Sequence, residues 1–215
     1  MKKTLILLCV LCVLAAYGAL AEDAGLTRVV LATDMHYLSP SLTDYGERFM
    51  NTVYAADGKI IHYSPQICRA FVRDMLCLKP DAVILSGDLT LNGALASHRE
   101  FAALLAPLTG AGIRVLALPG NHDVGGRAYE FGPDGPRAIA AATADEFLDI
   151  YGGFGYADAL SRDGHSLSYV ARISDQIWAL MIDVNANQTP GMVRPDTYPW
   201  LEAQLQAARA EKRQH

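Results

Sequence analysis

The chain has 215 residues, 51% of them apolar, with 23 acidic against 18 basic side chains and a formal net charge of −5. That length suits one domain, and that apolar share can fill a core. The acidic balance excludes a broad nucleic-acid surface, which needs clustered Lys and Arg, yet it leaves room for carboxylate-rich metal sites.

Lys2 and Lys3 precede an apolar run from Leu5 to Ala16, and Ala19-Leu20-Ala21 forms a small-x-small cleavage site before Glu22. Residues 1–21 therefore read as a signal peptide, and the mature chain is expected to be exported: secreted, periplasmic or at the cell surface. The run is shorter than the roughly 20 residues that cross a bilayer, so no stable membrane span is expected after cleavage. Lipid attachment is disfavoured, because Cys9 and Cys12 each follow a Leu where a small residue is wanted. Loss of the two lysines takes the net charge from −5 to −7.

Arg28–Thr33 is a short β-branched run ending at Asp34, and predicts a strand. The stretch from Tyr37 to Ser64 is long for a strand-to-helix connection. Within it, Asp57-Gly58 between Asn51–Tyr54 and Lys59–Tyr63 suggests a small hairpin. Ile67, Ala70, Phe71 and Met75 have helical spacing and predict a helix over Pro65–Leu78. Cys68 and Cys77 fall in that helix on opposite faces, over about 13 Å apart, too far for a disulfide. Both read as small buried hydrophobes.

Ala82–Ser86 is a second strand, ending in Gly87-Asp88. Phe101, Leu104, Leu105 and Leu108 predict a second helix. Arg114–Leu118 is a third strand, ending in Pro119-Gly120-Asn121. The order βαβαβ implies a parallel sheet with right-handed crossovers. Beyond it, Ala138–Ile150 reads as a helix. Leu167–Arg172 and Ile177–Ile182 read as antiparallel strands about a Ser174-Asp175 turn. A last helix carries Trp200, Leu201, Leu205 and Ala208.

Three polar clusters follow the three parallel strands directly: Asp34-Met35-His36, Gly87-Asp88 and Gly120-Asn121-His122-Asp123. In open α/β sheets ligands gather beyond the carboxyl ends of the strands, so these clusters should meet in space. Each alone has an ordinary reading. Asp34 and Asp88 suit helix caps or turns, Asn121 suits a turn after Pro119-Gly120, and His36 suits a satisfied histidine. Together, two carboxylates, an imidazole and an amide oxygen make a hard-to-borderline N/O set suited to Mn, Fe or Zn.

In this order and spacing, the clusters resemble the first three signature blocks of the calcineurin-like metallophosphoesterases. Leu180-Met181-Ile182-Asp183 is similar to that family's later core strand ending in Asp, and Trp200-Leu201-Glu202 to Leu205 to its following helix. The resemblance runs from about Thr27 to the end of the chain. It implies a βαβαβ core within an α/β/β/α sandwich, C-terminally incomplete, formed by residues 22–215. It also implies two divalent or trivalent metal ions (Mn, Fe or Zn) and a phosphate-ester substrate, cleaved as a phosphomonoester or phosphodiester by a metal-bridging hydroxide. Asp34 and His36 would bind the first ion, Asp88 would bridge both, and Asn121 would bind the second through its amide oxygen. His122 would face the substrate as general acid or cationic stabiliser. Asp123 would orient His122 by accepting its other ring N–H, and Asp183 would stand behind the site or serve a turn.

The sequence departs from two branches of the family. Purple acid phosphatases want Gly where His36 stands and Tyr where Leu91 stands. Ser/Thr protein phosphatases want Arg-Gly shortly after Gly87-Asp88, where Leu89-Thr90-Leu91-Asn92-Gly93 runs here. The family's later His ligand and its Gly-His-x-His block have no counterpart before His215, and His62, His98 and His165 lie in the wrong blocks to replace them. Two functions are therefore carried forward: a metal-dependent phosphoesterase, and a truncated or non-catalytic protein of the same fold with an incomplete metal site. A nucleotidase-like enzyme is weaker, for want of a nucleotide-binding domain. Tyr37, Tyr45, Arg48, Tyr54, His62 and Tyr63 form either a substrate lid or a packed surface element, and Arg127 and Arg137 read as solvated surface.

Overall fold

The computed structural model describes residues 26–55, 59–185 and 191–212. The signal peptide and the Asp57-Gly58 turn expected from sequence lie outside these residues.

Strands β1 (Val29–Ala32), β2 (Ala82–Leu85) and β3 (Arg114–Ala117) form a parallel sheet in that order, with Val30 opposite Val83 and Val83 opposite Val115. Helix α1 (Glu47–Tyr54) follows β1 at a distance. Helices α2 (Ser64–Leu78) and α3 (Leu95–Gly110) make the two crossovers. Pro65 in the first turn of α2 sets a helical φ where the missing N–H costs nothing. Lys79 closes that helix in the left-handed region (φ 49°), its N–H donating to the Met75 carbonyl at 2.8 Å, and Pro80 prevents continuation. Cys68 is buried as expected, whereas Cys77 is exposed, because its helix face turns away from the sheet.

A two-stranded hairpin follows, β4 (Ala128–Gly132) and β5 (Gly135–Ile139), joined through Pro133-Asp134. The expected Ala138–Ile150 helix therefore begins later, as α4 (Ala144–Tyr151). Its start is fixed by a capping box: Thr143 Oγ1 accepts from the Glu146 N–H at 3.2 Å, and Glu146 Oε2 accepts from the Thr143 N–H at 2.9 Å. Alanine content alone did not mark that start. A second sheet, β6 (Ser161–Arg162), β7 (Tyr169–Ser174) and β8 (Ile177–Met181), is antiparallel as expected, with its turn at Asp175-Gln176. Helix α5 (Tyr198–Lys212) closes the described chain and docks on that sheet through Trp200 Nε1 donating to Ser161 Oγ at 2.8 Å.

One apolar core joins both sheets. It holds Val83, Leu85, Val115 and Leu116 of the parallel sheet, Val72, Phe101 and Leu105 of the crossovers, and Tyr169, Ala171 and Met181 of the second sheet. Each fully buried Leu or Phe there contributes about 1.5–3 kcal/mol. The molecule is thus a mixed α/β fold with a βαβαβ parallel core.

A smaller cluster of Leu42, Phe49, Val53, Ile61, Ala128 and Phe131 lies under the segment after β1. It corrects the expected hairpin in that segment. Phe49 and Val53 stand four apart, so a helix buries both against Phe131, and Ile61–Tyr63 is a short 3-10 turn leading into α2.

Candidate metal centre

The loops beyond the parallel strands continue the sheet's hydrogen bonding in irregular form. Asp34 N–H donates to Gly87 O at 3.1 Å, His36 N–H to Asp88 O at 3.0 Å, and Tyr37 N–H to Leu89 O at 3.0 Å. Asp34 (φ 57°), His36 (φ 41°) and Asp88 (φ 49°) all occupy the left-handed region. That conformation costs on the order of 1–3 kcal/mol per non-glycine residue and persists only where surrounding bonds over-determine it. The three side chains so turned are the three that converge.

Two glycines let the second and third loops close. Gly87 has φ 113°, and a methyl on it would stand 2.9 Å from Gly120 Cα. A methyl on Gly120 would overlap the Asp88 carboxylate and backbone nitrogen, with Asp88 Cγ 2.9 Å away. A side chain on Gly87 would push the third loop away, and one on Gly120 would displace Asp88.

Ligand atoms of Asp34, His36 and Asp88 lie within 4.8 Å of one another. His36 Nε2 is 3.5 Å from Asp34 Oδ1 and 3.9 Å from Asp88 Oδ2, beyond hydrogen-bond length for both. The His36 side chain is buried, and neither ring nitrogen has a hydrogen-bond partner. Burial, helped by the Lys59 ammonium, pushes its pKa below the ordinary histidine value against the pull of Asp88. A neutral, buried imidazole left unpaired between two carboxylates fits a cation and costs stability otherwise. The residues present therefore suit the hard-to-borderline divalent ion expected from sequence.

His122 flanks this triad. Its ring meets the His36 ring edge-on at 5.0 Å, and its backbone N–H donates to Asp88 Oδ1 at 3.2 Å. His122 Nδ1 lies 2.6 Å from the Leu91 carbonyl, which can only accept, so Nδ1 carries the proton and Nε2 is left for the substrate side. This corrects the role expected of Asp123. The Leu91 carbonyl orients the ring, and Asp123 points elsewhere.

The Asp123 carboxylate is buried and binds the two loops together. It accepts from Leu89 N–H at 3.0 Å, Thr90 N–H at 2.8 Å, Thr90 Oγ1 at 2.9 Å and Gly120 N–H at 2.7 Å. Burial pushes its pKa up, while His98 and the three N–H groups pull it down. The backbone carbonyl of Asp123 is held from α3 by His98, also fully buried. His98 Nε2 donates to it at 2.9 Å, and Nδ1 accepts from the Tyr151 hydroxyl at 3.1 Å. Both ring nitrogens of His98 are thus taken up in supporting the third loop and Tyr151, a role the sequence reading missed. A His three residues before Phe101, in register with the apolar face of that helix, was the available signal.

Asn121 is exposed on the same loop, and lines a cleft of about 640 Å³ together with Asp183. Asp183 is buried, its Oδ2 accepting from Leu167 N–H at 3.0 Å and its Oδ1 from Asn185 N–H at 2.8 Å. Asn185 in turn donates to the Pro119 carbonyl at 3.2 Å, which ties the end of β8 to the third loop. Asp183 thus braces the loop that carries Asn121.

The segment after the first motif packs as a surface layer. Tyr37 is buried and donates to Glu100 Oε2 at 3.2 Å, and Arg48 reaches the Asp134 carbonyl at 3.5 Å. Tyr45, Tyr54 and Tyr63 are exposed. Arg137 pairs with Glu130 across the β4–β5 hairpin, at 2.7 Å from its Nε.

Residues 27–211 match the family model described as calcineurin-like phosphoesterase. Among proteins similar in sequence, one from Ruthia magnifica subsp. Calyptogena magnifica, named "Probable cyclic nucleotide phosphodiesterase", is 28% identical over 87 residues. That match covers 40% of this chain and 35% of the relative, so the shared stretch is about a third of the relative's length. Because that family model matches residues 27–211, this chain belongs to the calcineurin-like phosphoesterase family.

Proposed function

We propose that this chain hydrolyses a phosphomonoester or phosphodiester, with Asp34, His36 and Asp88 holding one metal ion and Asp88 and Asn121 facing a second. The observation that carries this reading is the buried His36 imidazole, without a hydrogen-bond partner, between two carboxylates at 3.5 and 3.9 Å. Bound ions supply Lewis acidity, which lowers the pKa of an attacking water and neutralises phosphoryl charge. The chain's own residues supply placement. The third loop meets Asp88 through the His122 N–H, and the Leu91 carbonyl holds the His122 Nδ1–H, which leaves Nε2 free of that bond. Protonated, Nε2 can give its proton to a departing alkoxide. The phosphodiesterase-named relative supports a diester over the stretch it shares.

Hydrolysis of bis-p-nitrophenyl phosphate and p-nitrophenyl phosphate with added Mn²⁺ tests this. Turnover should vanish with chelator and fall most in Asp88→Ala. Turnover indifferent to both would refute the reading. A second reading rests on the donor count: among the described residues the second ion meets only Asp88 and Asn121. At most one weakly held ion per chain, with negligible turnover, would select a non-catalytic protein of this fold. Export is proposed from the Lys2-Lys3 start and the Ala19-Leu20-Ala21 site. The exported protein should begin at Glu22, and Met1 found at its N-terminus would refute cleavage.

A further inference from the structure

The segment leading into α2 is fastened to the loop that carries His36. Leu38 N–H, two residues past His36, donates to Ser64 Oγ at 3.0 Å, and both residues are buried. Ile61 packs in the same apolar cluster as Leu38. Lys59 stands two residues before Ile61, so this packing fixes where its side chain leaves the backbone. Lys59 itself is exposed, as is Ile60 beside it.

This lysine is not ordinary solvated surface. Its ammonium acts on the His36 ring more strongly than the Asp88 carboxylate does, although Asp88 Oδ2 is 3.9 Å from Nε2. Coulombic effects fall with distance, so the ammonium shares the triad's immediate surroundings. It is the only Lys or Arg among the leading influences on that ring. Among the described residues no carboxylate pairs with it, neither Asp34 nor Asp88 included. An unpaired cation beside an ion-binding triad repels the ion, and an anion that touches both offsets that repulsion. The triad is open to solvent at Asp34, whose side chain is 59% exposed. An anion arriving from solvent can therefore meet the exposed ammonium and a triad-bound ion together.

We infer that Lys59 is a substrate-binding residue, its ammonium holding a phosphoryl oxygen of a phosphoester brought to the Asp34–His36–Asp88 site. This deepens the phosphoesterase reading and rests on it for the identity of the anion, though not for the anion contact. A phosphomonoester carries about two negative charges above its second pKa near 6, and a phosphodiester carries one. Lys59 therefore strengthens the hold on a monoester more than the hold on a diester.

Binding of inorganic phosphate to the full chain with Mn²⁺ at pH 8, followed by the ³¹P relaxation that bound Mn²⁺ causes, tests the contact without requiring turnover. Phosphate should bind about five- to thirtyfold more weakly to Lys59→Met, the range for one ammonium on a partly solvated dianion. Lys59→Arg should recover most of that loss. Mn²⁺ should bind Lys59→Met at least as tightly as the unaltered chain, because a repelling cation has gone. A lysine that only shaped the loop would instead lower Mn²⁺ and phosphate affinity together. Equal phosphate binding by Lys59→Met, a parallel loss of Mn²⁺, or no phosphate bound by the unaltered chain would overturn the inference. In turnover, Lys59→Met should raise KM for p-nitrophenyl phosphate more than KM for bis-p-nitrophenyl phosphate. If Lys59-dependent phosphate binding holds while no phosphoester is hydrolysed with Mn²⁺, only the phosphoesterase reading falls. If both esters are hydrolysed by Lys59→Met with unchanged KM and phosphate binding is also unchanged, only the lysine contact falls.

Discussion

The two flanks of the candidate metal centre are built differently. On the Asp34–His36–Asp88 flank, three left-handed residues are held by backbone bonds between the first and second loops and by four bonds to the buried Asp123 carboxylate. On the other flank, Asn121 is exposed beside an open cleft, braced at one remove through Asn185 and the Pro119 carbonyl. The first flank is preorganised, so an ion binding there does not have to order its own ligands. The second lies open beside a cleft of about 640 Å³. Substitutions should therefore weaken ion binding most where they disturb the first flank.

The largest effect is expected at Gly120. Gly120→Ala drives a methyl into the Asp88 carboxylate and backbone, and overpacking of this kind costs about 1–3 kcal/mol while displacing the central ligand. Thermal unfolding and a Mn²⁺ titration should both respond, the melting point falling and ion binding being lost. Unchanged binding in Gly120→Ala would mean that the two loops can part without disturbing the site.

His122→Ala comes next and acts on turnover alone. Loss of a general acid lowers kcat by about 10²–10⁴-fold, and metal content should be unchanged. If His122→Ala instead emptied the site, the ring would be a ligand and not a proton donor.

His98→Leu removes the donor to the Asp123 carbonyl and the acceptor for Tyr151. Leaving those buried groups unsatisfied costs about 1–3 kcal/mol each, read by urea unfolding. Because His98 reaches the site only through the backbone, His98→Gln, which can still donate, should recover part of the loss. Equal instability of both variants would indicate packing and not the hydrogen bond.

These expectations divide between what the sequence made legible and what it did not. The three parallel strands were legible because short apolar β-branched runs each end in a polar cluster, and parallel topology alone brings Asp34, His36, Asp88 and Asn121 to one edge. The orientation of His122 was not legible, since its partner is the Leu91 carbonyl and every residue carries a carbonyl. Asp123 was misplaced for the same reason: its partners are chiefly backbone N–H groups from a loop 33 and 34 residues earlier. The α1 helix and the β4–β5 hairpin were misread because they bury apolar residues mainly against each other, a pairing that local turn signals do not report.

The smallest effect is expected at the rim of the second flank. Burial raises the Asp163 carboxyl, but bonds from Ser166, Thr197 and the His165 backbone outweigh it and leave its pKa below the ordinary value. A carboxyl with a depressed folded-state pKa adds stability above its unfolded pKa, and loses it as pH falls through the folded value. Urea unfolding should therefore show a small loss on acidification below about pH 4 that Asp163→Asn no longer shows. The same pH response in both proteins would remove Asp163 from the account.

Paired Mn²⁺ titrations of the chain and of His36→Ala, followed by the EPR signal of free ion, test the central claim most directly. The account predicts saturable binding in the unaltered chain and affinity at least about 100-fold weaker in His36→Ala, a ligand's loss exceeding the 10–100-fold typical of outer-shell partners. Equal binding by both proteins, or none by the unaltered chain, would contradict the assignment of Asp34, His36 and Asp88 as a metal site.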